Sequence, residues 1–156
     1  GELTVPMLKD ITLQLYKMAR AKFPSDSSVV YGKSLGSGLA AYLASKRACA
    51  MLMMETPYTS LSSLTSEYLF MLPAKWLLRE DINTAAYRPA VLAPTIIWHG
   101  SKDELIPLSE AVRLTQKLKP TDRFYVVDGA RHNGMPNYGL YHKTLDSAIA
   151  SMAGNQ

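Results

Sequence analysis

The chain has 156 residues, 47% of them hydrophobic and 19% charged, the proportions of an ordinary globular domain long enough to bury a core, which excludes a disordered or low-complexity scaffold. Seventeen basic against thirteen acidic residues leave a net charge of +4, scattered rather than gathered into a block, so no nucleic-acid partner is expected. The longest apolar stretch, Ala48 to Met54, falls far short of the ~20 residues that span a bilayer, and no signal-peptide pattern opens the chain, so a cytoplasmic protein without a membrane span is expected.

Leu8, Ile11, Leu15 and Met18 recur at helical spacing with Lys9, Asp10, Gln14 and Lys17 between them, which predicts a first helix with that stripe buried, started by Thr4 and Pro6. Phe23 to Ser27 breaks it. Ser28 to Tyr31 reads as a strand running into a glycine turn, and Leu39 to Ser45, rich in Ala and Leu, as a second helix. Cys49, the single cysteine, has no partner for an internal disulfide and reads as a small buried hydrophobe.

Three more apolar runs follow, Ala48 to Met54, Thr95 to Trp98 and Phe124 to Val127, without polar alternation, as expected of strands buried on both faces of a parallel sheet. Leu108 to Leu118 supplies a helix between the last two, and Asn137 to Ala150 a closing one. This alternation predicts an α/β fold, a mostly parallel sheet flanked by helices. The long segment from Pro57 to Ala93 has two readings: a lid or cap offering Tyr58, Leu61 and Trp76 as substrate walls, or helices that merely cover the sheet.

The sharpest local signal is Gly32-Lys33-Ser34-Leu35-Gly36, between a predicted strand and a predicted helix. It fits the G-x-S-x-G nucleophile elbow, where the turn leaves no room for side chains at Gly32 and Gly36 while the serine is lifted into solvent. A phosphate-binding loop is the competing reading of Gly32-Lys33-Ser34, but it requires a glycine where Ser27 stands and a loop where a strand is predicted.

A serine hydroxyl is a weak nucleophile without an imidazole to take its proton, and the imidazole needs a carboxylate to fix its tautomer. Asp103 follows the Thr95 to Trp98 strand and His132 follows the Phe124 to Val127 strand, giving the order Ser, acid, His. In a parallel sheet all three open on the same carboxyl edge. Of the alternatives, Glu104 neighbours the acid, Asp128 suits a turn cap, His99 reads as a turn residue at a strand end, and His142 falls on the exterior of the last helix.

The segments Tyr31 to Gly38, Glu55-Thr56-Pro57-Tyr58-Thr59-Ser60, Ile97 to Pro107 and Gly129 to Asn133 together resemble the α/β-hydrolase superfamily, and more closely its Bem46-like serine hydrolases. The resemblance covers nearly the whole chain. It implies a nucleophile at Ser34, an acid at Asp103, a general base at His132 and an oxyanion-hole donor at the Leu35 backbone N–H, without metal or organic cofactor, acting on a small-molecule ester or thioester. In that family the elbow follows the fifth strand of eight, whereas 33 residues precede Ser34 here, room for one helix and one strand. Residues 1–156 are therefore expected to form a single partial α/β-hydrolase domain, with a cap at 57–93, that lacks the N-terminal strands. Its sheet would be completed by an N-terminal segment, a partner chain or another copy in a homo-oligomer. The rival expectation is a non-catalytic, hydrolase-like interaction module.

Overall fold

A computed structural model describes residues 4–64 and 81–153. Helix α1 (Val5–Arg20) starts where Thr4 Oγ1 accepts a hydrogen bond from the Met7 amide at 3.4 Å, with Pro6 in the first turn and Lys17 and Arg20 beside the carbonyl-rich end. Strand β1 (Val29–Lys33) turns at Ser34 directly into α2 (Leu35–Lys46), and β2 (Met51–Glu55) returns beside β1. The short helix α3 (Thr84–Tyr87) precedes β3 (Thr95–Gly100), and α4 (Leu108–Thr115), β4 (Arg123–Val127) and α5 (Gly139–Ala153) complete the described chain.

The four strands form one parallel sheet in the order β1-β2-β3-β4, with Lys33 opposite Glu55, Glu55 opposite Trp98 and Trp98 opposite Tyr125. Since every strand points the same way, the loops that leave their carboxyl ends gather on one edge. One face buries Val30, Leu52, Met54 and Ile97 with Ala40, Ala41 and Leu43 of α2 and Ala111 and Leu114 of α4. The other buries Met53 and Trp98 with Tyr141 and Ala148 of α5. Trp98 is fully enclosed, its indole N–H donating to Thr144 Oγ1 at 2.8 Å, which satisfies its one polar group.

β2 and β3 are buried at every position, as the unbroken apolar runs imply. The run Phe124 to Val127 departs from that expectation: β4 is an edge strand with Val126 exposed, because no further strand lies beyond it among the described residues. β1 is the opposite edge and leaves Val29 and Tyr31 exposed.

The largest departure is on α1. The helix forms, and Leu8 of the predicted stripe packs inward, but the other three positions are turned outward, with Ile11 42%, Leu15 59% and Met18 68% exposed. Beside Leu8, contact with the rest of the fold is made by Val5, Leu13 and Tyr16, and the Tyr16 hydroxyl donates to the Ala48 carbonyl at 2.6 Å. Periodicity marks a helix as amphipathic, but burial of the apolar side needs a neighbour there, and none is present among the described residues.

At the amino end of the strands a buried ion pair fixes the sheet. Arg88 donates to Asp122 Oδ2 at 2.6 Å and to Thr95 Oγ1 at 2.7 Å, and Asp122 also accepts from the amides of Thr95 and Lys119. Among the described residues no helix is long and apolar enough to cross a membrane.

Candidate active site

The path from β1 to α2 is closed so tightly that a Cβ on Gly32 would lie 2.3 Å from the Gly36 carbonyl oxygen and 2.7 Å from Ala40 Cβ. That contact forces glycine at position 32. Gly36 does not meet the same expectation, since a Cβ there touches nothing within 4 Å among the described residues. The second obligatory glycine is Gly38, where a Cβ would lie 2.5 Å from both the Tyr58 hydroxyl and Ile82. Accordingly, Gly32→Ala should cost at least about 2 kcal/mol of stability because backbone stands in the way, whereas Gly36→Ala, inside a helix, should be neutral or stabilising by up to about 1 kcal/mol. Urea unfolding of the two variants measures both.

Ser34 occupies the turn at φ 52° and ψ −125°, a strained conformation for a residue with a side chain, held by its amide donating to the Glu55 carbonyl at 2.9 Å. Thr56, at the end of the neighbouring strand, shares the positive φ at 48° and donates its amide to the Trp98 carbonyl. Nothing in the sequence marked Thr56 for this. Leu35 follows Ser34 as the first residue of α2, so its amide has no intrahelical acceptor and carries the positive end of the helix dipole.

His132, from the loop after β4, places Nε2 3.1 Å from Ser34 Oγ. Its Nδ1 lies 2.9 and 3.0 Å from the two carboxylate oxygens of Asp103, from the loop after β3. A carboxylate only accepts, so Nδ1 carries the proton and Nε2 presents its lone pair to the serine hydroxyl. Asp103 Oδ1 also accepts from the amides of Leu105 and Ile106, both at 2.9 Å. Burial alone would raise the affinity of Asp103 for a proton, but the hydrogen bonds from His132 and the two amides outweigh it and hold the carboxyl below its ordinary value.

The alternatives resolve by position. Glu104 is exposed, accepting from the His132 amide at 3.3 Å and lying 3.9 Å from Arg131 Nε, and Asp128 accepts from the Ser101 hydroxyl at the base of the turn. His142 is exposed on α5 and donates to the Pro136 carbonyl. His99, expected in a turn, is instead the penultimate residue of β3 and fully buried.

Tyr58 and Leu61 do not line a substrate wall. Both are buried, packed with Val5, Leu64, Ile82 and Ile106, and the Tyr58 hydroxyl donates to the Leu35 carbonyl at 3.2 Å. They pack beneath the serine turn and the loop that carries Asp103. Trp76 and the middle of the segment assigned to a cap lie outside the described residues.

Glu55, also missed as a site neighbour, is buried where β2 ends beside Ser34, accepting from the Tyr31 hydroxyl at 2.6 Å and pairing with Lys33 at 3.2 Å. Burial first, and then the hydrogen bond to Glu55 and its charge, hold the Tyr31 phenol protonated far above its ordinary range. Among the described residues no three His, Cys, Asp or Glu side chains gather as a metal site. A cleft of about 390 Å³ lined by Met51, Pro94, Ile96, Arg123, Tyr125 and Thr144 lies at the amino end of the strands, opposite Ser34.

No protein-family model matches the chain. It is 31% identical over 103 residues to an uncharacterised protein of Mycobacterium tuberculosis, covering 66% of this chain and 37% of that one. To the alpha/beta hydrolase domain-containing protein aho-3 of Caenorhabditis elegans it is 27% identical over 145 residues, covering 90% of this chain and 41% of that one. Among solved structures it superposes with a TM-score of 0.70 on an alpha/beta hydrolase enzyme from a lagoon-sediment metagenome, at 18% identity and covering 97% of this chain and 72% of that one. An acetyl xylan esterase from Paenibacillus sp. R4 matches with a TM-score of 0.70 at 15% identity, covering 93% of this chain and 52% of that one. The chain thus spans about two fifths of the length of the curated relatives it matches. With a parallel sheet whose carboxyl edge carries a strained serine turn, the chain has the α/β-hydrolase fold of its structural neighbours and is similar in sequence to named α/β hydrolases.

Proposed function

We propose that the chain carries the nucleophile, base and acid of a serine hydrolase that cleaves carboxylic esters or thioesters through an acyl-enzyme. The observation that supports this reading above others is the continuous relay from Ser34 Oγ to His132 Nε2 at 3.1 Å and from His132 Nδ1 to Asp103 at 2.9 Å. Ser34 Oγ attacks the carbonyl carbon as His132 Nε2 takes its proton, the Leu35 amide donates to the oxyanion, and Asp103 stabilises the imidazolium. Collapse of the tetrahedral adduct expels the alcohol or thiol, which receives the proton from His132. Water then repeats the sequence on the acyl-serine and releases the acid. No step calls for a metal or an organic cofactor.

The exposed stripe of α1 and the unpaired edge of β1 favour an addition to this reading: a further segment pairs with β1 and covers Ile11, Leu15 and Met18. The rest of the same polypeptide, a partner chain or a second copy would each satisfy those surfaces. Such a segment would also supply the second oxyanion donor, whose absence costs about 10²–10³ in rate. The same surfaces support a second reading, a hydrolase-like module that binds a partner and performs no chemistry.

Labelling with a fluorophosphonate, followed by intact mass and peptide mapping, separates the two. A single adduct on Ser34, absent from Ser34→Ala, is expected of the hydrolase. A folded chain that takes no adduct, alone or with the completing segment added, would rule the hydrolase out.

A further inference from the structure

His99 contributes a fully buried imidazole to which the relay above gives no task. Its Nε2 lies 2.9 Å from the Ile106 carbonyl oxygen and 3.6 Å from Asp103 Oδ2, and its Nδ1 has no hydrogen-bond partner among the described residues. Because a carbonyl only accepts, Nε2 must carry the proton. A second proton on Nδ1 would be a buried donor with nothing among the described residues to receive it, which disfavours the charged ring. Burial accordingly lowers the proton affinity of His99, against smaller opposing contributions from the Ile106 hydrogen bond and Asp103, while His132 acts in the same direction as burial.

Ile106 is gripped from both sides. Its amide donates to Asp103 Oδ1 at 2.9 Å while its carbonyl receives the His99 proton at 2.9 Å, so one residue couples the end of β3 to the carboxylate that orients His132. The intervening loop is tied elsewhere by the Lys102 amide to the Ala130 carbonyl and the Asp103 amide to the Gly100 carbonyl. Those bonds fix its first half. Its second half, which supplies the Leu105 and Ile106 donors, has the His99 imidazole as its bridge back to the strand.

We propose that His99 is a positioning residue for the acid: as the Nε2–H tautomer it holds the Ile106 carbonyl, and thereby keeps the Ile106 amide on the Asp103 carboxylate and Asp103 on His132. The inference rests on the serine-hydrolase reading for its consequence in rate, but its geometry is readable without turnover. His99 touches no substrate, so its effect falls on the activation of Ser34 rather than on binding.

The experiment combines nitrogen-15 NMR of the imidazoles with fluorophosphonate labelling rates. In the unmodified chain His99 is expected with Nε2 protonated and Nδ1 bare, and a different tautomer or a charged ring at neutral pH overturns the proposal with no variant needed. His99→Met should shift the hydrogen-bonded His132 Nδ1 proton resonance and slow Ser34 labelling by about 10- to 100-fold, the scale on which small misplacements of catalytic groups are felt. His99→Gln, which restores an N–H donor at similar reach, should recover most of that rate. In an Asp103→Asn background, His99→Met should have no further effect, because the orientation it protects is already lost. Equal losses in both backgrounds, or an unmoved His132 resonance, would show a merely structural side chain. Failure of the unmodified chain to label at all would instead count against the hydrolase reading and leave the NMR result to decide the role of His99.

Discussion

Asp103→Asn should lower the rate of Ser34 acylation by an activated ester by about 10⁴-fold while leaving the fold in place. The size follows from which oxygen does what. Oδ1 is held by two backbone amides, so the asparagine carbonyl takes that position and its NH₂ group takes the place of Oδ2, 2.9 Å from His132 Nδ1. A donor then faces the Nδ1–H, whose other acceptor, the oxygen at the Oδ1 position 3.0 Å away, is already shared by two amides. His132 relieves the conflict by moving its proton to Nε2, and in that tautomer it has no lone pair left for the serine hydroxyl. His132→Ala should cost a comparable factor by removing the base outright. Steady-state hydrolysis of a p-nitrophenyl ester, alongside thermal unfolding by circular dichroism, checks both. A rate within tenfold of the parent for Asp103→Asn would overturn the assignment of the acid to Asp103 and turn attention to Glu104. Asp103 also gives a sign for pH: its stabilising contribution is complete above the unfolded carboxylate pKa of about 3.9 and is lost as pH falls through its lower folded value.

The largest effect on stability is expected at the opposite end of the strands. Asp122→Ala should destabilise the fold by about 3–5 kcal/mol, because it leaves the Arg88 guanidinium buried without its counter-charge. Arg88 and Asp122 side chains are wholly enclosed. The carboxylate also receives the Thr95 amide at 2.8 Å and the Lys119 amide at 2.9 Å, so its loss strips the starts of β3 and β4 of their shared anchor. Arg88→Met combined with Asp122→Leu should cost much less than Asp122→Ala, since neither charge then remains in the interior. Chemical denaturation of the three variants measures the difference, and a cost below about 1 kcal/mol for Asp122→Ala would overturn this account. The pair lies far along the strands from Ser34, so labelling of the molecules that remain folded should be unchanged.

These outcomes depend unequally on what the sequence discloses. The turn at Gly32-Lys33-Ser34 is legible because a strand, a glycine under a backbone contact and a helix start are all local, and local geometry is written in adjacent residues. The convergence of Ser34, Asp103 and His132 follows from one more inference, that successive buried apolar runs make parallel strands with their carboxyl ends together. Burial in three dimensions is less accessible. The stripe of Ile11, Leu15 and Met18 has the spacing of a core face but faces outward, and Tyr58 and Leu61, apolar residues in a long segment, pack beneath the serine turn instead of lining a wall.

By itself, then, the sequence determined the parallel α/β order, the serine turn and the loops that carry His132 and Asp103, since each arises from short-range periodicity or steric exclusion. Only the tertiary structure decided that Gly38 rather than Gly36 is the crowded partner of Gly32, that α1 turns most of its apolar stripe away from the sheet, that Arg88 and Asp122 lock the strand starts, and that His99 lies behind Asp103. Each of these depends on residues distant in the chain meeting at a particular separation, and a one-dimensional pattern carries no distances between positions it does not place side by side.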